Sequence, residues 1–592
     1  MERSEASSSA GNVVRQPPPR IVTAQTQPTK EVLATIAVVA ITTAVFLGLF
    51  NRESALSYSI GYNLYGATRI LKGEVPYRDF HTLYPPATVY LNAALFKLFG
   101  TYLYTALLGV CVFKILTTLA IYRCARRVMS LSFSLAAAVF SIIWLRPNGP
   151  FKAVPMHYGS LFLALSLLMF LKYSDQKRLA YLAMAGVCIA LLALFKHNIG
   201  GYALIGLTAS VIFKGNPFAP RVETPSRLWR AGLALAVGVV LPVLPVLVYM
   251  WHEGALRAMI RTLLFGPGEF LANRLASTPP LLFPFCIALA VSAMAVWIYR
   301  FKSAGTGSTV LALSAAVALV LLVAFAPEGP VNEIVFYLPV FVLIAGAMVC
   351  RIASSREDGS GERLYAILAV TAAALMEAFP RFAREQSIAA MPYIGLLLLA
   401  MISTFWGPIV ERAGTRAAGI AAACALPLML FVLGGRFFFQ TFFERGLHPR
   451  STAPLTITRG RGVYFPHDTA SEIDNVVAYV QQKVPESGYV FAQSYAGSSF
   501  LFLSDRLNPS GAQFWGGVGV TKTERDQTLA SIKDKNVQLV ITSDRDLAAE
   551  RYKPMKDFLD LNFRLAARFG EVDLLEASEA NTGPAFKSQS SE

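Results

Sequence analysis

The feature that most constrains this chain is its succession of long apolar runs. They occupy residues 31–50, 104–122, 129–146, 157–171, 179–195, 199–213, 231–250, 281–299, 308–326, 334–350, 364–376, 388–405 and 416–434. A hydrocarbon layer about 30 Å thick takes about 20 helical residues to cross, so the runs predict about thirteen transmembrane helices. Composition enters as a check: 54% of the 592 residues are apolar and 15% charged, against about 25% charged in soluble domains. A fold that faces water on all sides could not hide that much apolar surface.

The net charge is +16, yet its placement argues against a nucleic-acid binder. The basic residues sit in short clusters between apolar runs: Arg123/Arg126/Arg127, Lys172/Lys177/Arg178, Lys214/Arg221/Arg227/Arg230, Arg300/Lys302 and Arg351/Arg356/Arg363. With residues 1–30 in the cytoplasm, all five clusters fall on that side, as the positive-inside rule requires. An odd number of spans then puts residues from about 435 onward outside, with the loops 51–103, 147–156, 251–280, 327–333 and 377–387. Residues 1–30 and 579–592 read as disordered tails, and 1–30 lacks the layout of a cleavable signal peptide. The six cysteines lie in or beside apolar runs, with no disulfide framework or metal spacing.

The first outer loop, 51–103, is too long for a connector. Two short amphipathic stretches, 61–72 and 89–99, predict helices lying in the interface rather than crossing it. In the first, Tyr62, Tyr65 and Arg69 share a face. Between them GEVPYRDFHTLYPP is dense in charge, aromatics and proline, which predicts extended backbone. From about 435 to 578 the pattern becomes that of a small α/β domain. SEIDNVVAYVQQKV has helical spacing, 489–493 and 537–542 are strand-like, and Thr521 with Glu524 forms a capping box. The alternation favours a parallel sheet.

Walker loops, HExxH, GxSxG and Cys/His clusters are missing from the sequence, so the chemistry has to come from ionisable residues at the outer membrane face. Asp79, flanked by Arg78 and His81, is a candidate acid or base, with a local salt bridge to Arg78 or Arg69 as the structural alternative. Glu53 follows the first span and is a second candidate base. Lys196 and His197 stand at the outer end of one span, where a desolvated ammonium needs an anion such as a lipid phosphate. Arg381 and Glu385 occupy a later outer loop, and the Arg381 guanidinium suits bidentate phosphate binding. Glu74, and His252, Glu253, Arg257 and Arg261, read as surface charge.

The stretch LYGATRILKGEVPYRDFHTLYPP resembles a bacterial branch of the GT-C glycosyltransferases, polytopic enzymes that include the protein O-mannosyltransferases and the lipid A aminoarabinose transferase. FKHNIG at 195–200, FPR at 379–381 and FLSDRLNP at 502–509 extend the resemblance. It implies a GT-C-like helical domain over 31–434 and an extracytoplasmic C-terminal domain over 435–578, in a bacterial inner membrane. It also implies inverting transfer of a sugar from a polyprenyl-phosphate donor to a lipid, polysaccharide or protein acceptor. By that resemblance Asp79 lies in the base-bearing loop. Lys196, Arg381 and Arg78 would hold the donor phosphate, and His81, His197 and Glu385 would contact acceptor or sugar. Some relatives use a divalent metal, which no cluster here demands. The acidic pair expected before LYG is replaced by Ser59 and Ile60, and Ala383 and Gln386 replace an expected Asp and His. This leaves Asp79 or Glu53 as base, or makes the chain a member without transferase activity. A lipid-linked saccharide flippase is the remaining alternative.

Overall fold

The computed structural model describes residues 28–56, 58–145, 153–213, 225–272, 342–347, 350, 359–377, 384–412, 428, 430–436, 438–439, 451–493, 496–512, 515, 520, 522–543, 547 and 552–578. The apolar runs inside these ranges are helices: α1 (Pro28–Leu49), α4 (Leu103–Val128), α5 (Leu131–Leu145), α6 (Pro155–Gln176), α7 (Leu179–Phe195), α8 (His197–Phe213), α9 (Pro225–His252), α11 (Ser360–Leu375) and α12 (Arg384–Arg412). The expected spans at 281–299 and 308–326, and most of those at 334–350 and 416–434, lie outside the described residues. Four described helices, α1, α4, α6 and α9, are by length and composition able to cross a membrane unaided.

Close approach of α7 and α9 depends on two glycines. A Cβ at Gly186 would stand 3.1 Å from the Gly238 Cα, and one at Gly238 would strike the Ala183 carbonyl. Small residues let helix backbones touch where water exclusion gives no driving force. Large side chains fill the rest of the bundle, with Trp144, Tyr158, Phe170 and Tyr393 fully buried.

Ion pairs sort the bundle into two ends. At one, Arg126 meets Glu31, Arg127 and Arg363 meet Asp175, and Lys177 meets Glu362. These belong to the clusters expected in the cytoplasm, and they do lie together. At the opposite end are the C-terminus of α1, the start of α6, the α7–α8 junction and the residues after α11. Across that end lie α2 (Tyr58–Leu71) and α3 (Ala87–Phe99), too short to span, with α10 (Leu256–Ala272) following α9.

The C-terminal domain docks on this second end. β1 (Thr452–Pro454) and β2 (Tyr464–Pro466) form a small antiparallel ribbon. A four-stranded sheet has the order β3-β4-β6-β5, from β3 (Val490–Gln493), β4 (Leu539–Thr542), β5 (Phe563–Phe569) and β6 (Val572–Ala577). Packed around it are α13 (His467–Lys483), α14 (Gly497–Ser504), α15 (Lys522–Asp534) and α16 (Lys553–Asn562). The parallel sheet expected from the sequence is found only at β3–β4; β4–β6 and β5–β6 are antiparallel. The reason is the hairpin 563–577, whose turn uses Gly570 at φ +57°, a conformation glycine adopts without penalty. Thr521 lies outside the described residues, but α15 begins at Lys522, where the capping box placed a helix start.

Candidate active site at one end of the bundle

The loop between α2 and α3 takes its shape from its own residues. Pro76 restricts Val75 to extended backbone. Tyr77 then turns at φ +67°, a conformation a bulky residue holds only when its surroundings fix it. Three contacts do so: the ring is buried, the Tyr77 N–H donates to the Phe80 carbonyl at 2.8 Å, and its hydroxyl donates to the Tyr84 carbonyl at 2.5 Å. Pro86 caps α3 and ends the loop.

Asp79 lies inside this turn with its carboxylate fully engaged. Oδ1 accepts from Arg78 Nε at 3.0 Å, and Oδ2 accepts from Arg78 Nη2 at 2.8 Å and from the Val75 N–H at 2.7 Å. The Arg78 hydrogen bond, helped by the Val75 N–H and opposed by burial, holds this carboxyl below the usual carboxylate range. Arg78 in turn reaches Glu253 at 2.8 Å, so its guanidinium is held by two carboxylates. Glu253 was expected to be solvated surface charge; instead it ties the α9–α10 turn to the loop. Glu74 likewise pairs with Arg69, a mostly buried guanidinium stacked 4.9 Å from the Phe80 ring.

Lys196 occupies the break between α7 and α8. Its backbone is extended, with φ −148° and ψ 91°, while its N–H still caps Leu192. This turns the side chain inward, where Nζ sits 3.0 Å from Glu377 Oε1 and 4.7 Å from the centre of the Tyr84 ring. Only 16% of the Lys196 side chain and 9% of that of Glu377 is exposed. α8 starts at the next residue, and its N-terminus adds partial positive charge suited to an anion. Through Tyr84, the loop carrying Asp79 covers this buried ammonium.

The C-terminal domain fixes the loop from outside. The Tyr464 carbonyl accepts the Glu53 N–H, and the Asn51 carbonyl accepts that of Tyr464, both at 2.8 Å. Glu53 itself is buried, 3% exposed. The Tyr65 hydroxyl receives the Asn508 N–H at 2.6 Å and lies 3.2 Å from the Arg506 carbonyl, to which it donates. Arg69 donates to the Ser510 carbonyl at 3.1 Å, and the His81 N–H to that of Gly511 at 3.0 Å. Gly61 allows this contact, because a Cβ there would collide with the backbone and hydroxyl of Ser499. The shared face of Tyr62, Tyr65 and Arg69 thus binds loop and domain. Arg506, of the FLSDRLNP stretch, is buried among the carbonyls of Gln481, Val484 and Ser504.

The structure therefore brings together Arg78, Asp79 and His81 in one loop and carries that loop over Lys196. Burial lowers the pKa of His81 against the opposing charge of Glu524, and its Nε2 is buried without a hydrogen-bond partner. His197 turns toward the backbone of Leu263. Arg381 and the side chain of Glu385 lie outside the described residues.

Sequence reading missed Glu377 and Lys114. Glu377 is an acid at the end of an apolar run, the counterpart of Lys196 at the end of another, and pairing the two was the available signal. Lys114 stands near the middle of α4, 3% exposed, hidden among apolar neighbours in the sequence. Among the described residues no group of three or more His, Cys, Asp or Glu could hold a metal ion.

No protein-family description matches the chain, and no curated protein matches it in sequence. Among solved structures it is similar to the archaeal oligosaccharyltransferase AglB from Archaeoglobus fulgidus in complex with an inhibitory peptide and a dolichol-phosphate. That likeness has 14% identity and a TM-score of 0.48 over 94% of this chain and 75% of that one. It is also similar to ArnT from Cupriavidus metallidurans. The apo state gives 12% identity and a TM-score of 0.40 over 94% of this chain and 100% of that one. The state bound to undecaprenyl phosphate gives 13% and 0.37 over 94% and 99%.

Proposed function

We propose that this chain is a membrane glycosyltransferase that moves a sugar from a polyprenyl-phosphate-linked donor to an extracytoplasmic acceptor by a single inverting displacement, in a bacterial inner membrane. The observation that carries this reading is the Lys196 ammonium, buried at a helix break beside the start of α8 and covered by the loop 73–86. A cation so placed suits a lipid phosphate whose tail lies in the bilayer. A polyprenyl phosphate leaves readily once cations hold it, so the protein needs only charge stabilisation and a base for the acceptor hydroxyl. Lys196 and Arg381 supply the first in this reading. Asp79 and Glu53 are the carboxylates that the sequence offers for the second, with His81, His197 and Glu385 as sugar or acceptor contacts.

The test is release of free polyprenyl phosphate by the purified chain from a panel of polyprenyl-phosphate sugars, with candidate acceptors from the native membrane. Release that falls at least 100-fold in Lys196→Ala and Arg381→Ala is expected; unchanged donor kinetics in both would remove the phosphate assignment. Orientation is tested separately. A cysteine at Glu486, which is exposed, should be labelled only from outside and one at Lys177 only from inside.

A flippase reading has Lys114 in its favour, since an ionisable side chain inside a span marks ion or substrate pathways by default. Lys114→Met should leave polyprenyl-phosphate release intact if transfer is the function.

A further inference from the structure

The reaction requires a carboxylate that can receive a hydroxyl proton beside the departing phosphate. Asp79 does not offer one in this geometry: both oxygens are taken by Arg78, and Oδ2 also by the Val75 N–H. Glu53 stands at the end of α1 under the Tyr464 strand, with none of its described contacts made to Lys196. Glu377 differs from both in standing against Lys196. Its Oε1 pairs with Lys196 Nζ at 3.0 Å, while Oε2 is buried and has no hydrogen-bond partner. A buried carboxylate oxygen without a donor is costly, and a hydroxyl is the kind of group that would satisfy it.

We propose that Glu377 is the general base of the transfer, with Lys196 bridging it to the leaving phosphate. This rests on the transferase reading above. An ammonium has three N–H donors. One is used on Glu377, and the side turned to the Tyr84 ring becomes available to a phosphate oxygen once donor entry displaces that ring. The acceptor hydroxyl donates to Oε2, and its oxygen attacks the anomeric carbon. The bond from that carbon to the phosphate oxygen breaks, its electron pair leaves with the polyprenyl phosphate, and the hydroxyl proton passes to Oε2. One ammonium thus sets both the attacking and the leaving group within a few ångströms of each other. The arrangement also accounts for the missing acidic pair at Ser59 and Ile60: the proton acceptor comes from the residue after α11 instead of from the first loop.

The experiment compares Glu377→Gln, Glu377→Asp, Asp79→Asn and Glu53→Gln in the full-length chain in lipid nanodiscs. Polyprenyl-phosphate release and retention of radiolabelled polyprenyl phosphate are measured across pH. Glu377→Gln is expected to lower kcat by 10²–10⁴, keep polyprenyl-phosphate retention within a few-fold, and abolish the acidic limb of the pH–rate profile. Glu377→Asp should keep that limb at reduced rate, which holds the test open if the glutamine variant fails to fold. Asp79→Asn and Glu53→Gln should both retain the limb. Turnover of Glu377→Gln within a few-fold of wild type, or a loss confined to donor KM with the limb intact, would overturn the base assignment while leaving the transferase reading in place. No release by the wild-type chain with any donor would overturn the transferase reading and the base with it.

Discussion

The two ends of the helical bundle carry similar ion pairs in opposite settings. At the end rich in arginine, Lys177 is 57% exposed beside Glu362, and Asp175 is shared between Arg127 and Arg363 at the rim. At the other end, Lys196 and Glu377 are 16% and 9% exposed beneath Tyr84. Exposed pairs of this kind contribute little to stability, and in the proposed topology their part is to bias orientation. The buried pair has lost its water, so each partner depends on the other. Abundance of charge therefore marks the wrong end as functional. The informative feature is an ion pair that the fold has dehydrated and then covered with a loop.

The sharpest way to break this contrast is to remove one buried partner. Lys196→Ala leaves Glu377 as an uncompensated buried charge and should cost about 3–5 kcal/mol. Thermal unfolding in detergent would read this as a large drop in Tm, reversed in part by the double variant Lys196→Ala/Glu377→Ala. A double variant no more stable than the single would mean that the pair is not coupled. Next in size is the joint between bundle and domain. Gly61→Val drives a side chain into Ser499 and should cost about 1–3 kcal/mol as an overpacked contact. Tyr65→Phe gives up the hydroxyl that joins Arg506 and Asn508 and should cost about 1–3 kcal/mol because the Asn508 N–H is left buried without its partner. Both should expose residues 451–578 to limited proteolysis before the bundle unfolds.

Much of this arrangement was legible in the sequence because apolar periodicity is a local signal. α7 matches its expected run 179–195 end to end, and α2, α3, β3 and β4 fall within a few residues of their expected places. The loop 73–86 stood out through its prolines and aromatics. Contacts between distant segments were not legible. Glu253 looked like surface charge because nothing local to it shows that Arg78, 175 residues earlier, comes to meet it. Glu377 escaped notice because its partner lies 181 residues earlier. The hairpin 563–577 was missed because RLAARF reads as helix as readily as strand, and only pairing with β6, which in turn pairs with β4, decides it.

The loop itself gives a smaller effect with a defined sign. The Asp79 carboxyl is held low by Arg78 and the Val75 N–H, so its folded-state pKa is below its unfolded one. Its contribution is complete above the unfolded value of about 3.9 and is lost as pH falls through the folded value. Hydrogen-exchange protection across residues 73–86, taken relative to the intrinsic rate at each pH, should therefore stay high at neutral pH and fall below about pH 4. Asp79→Asn should show the lowered protection already at neutral pH, with no further fall in acid. An unaltered loop in that variant would mean that Tyr77 and the Gly511 contact hold it alone.

The smallest effect belongs at the arginine-rich end. Lys177 reaches Glu362 through an exposed side chain, and an exposed pair is worth about 0–1 kcal/mol and is screened by salt. Lys177→Ala should leave Tm within about 2 °C and polyprenyl-phosphate release unchanged, while reducing the charge bias that fixes orientation. Labelling of a cysteine at Glu486 in cells carrying Lys177→Ala together with Arg126→Ala and Arg127→Ala should reveal a fraction inserted the other way up. A loss of turnover in correctly inserted Lys177→Ala protein would show the two ends to be coupled across the membrane, because nothing in the exposed pair touches the dehydrated one.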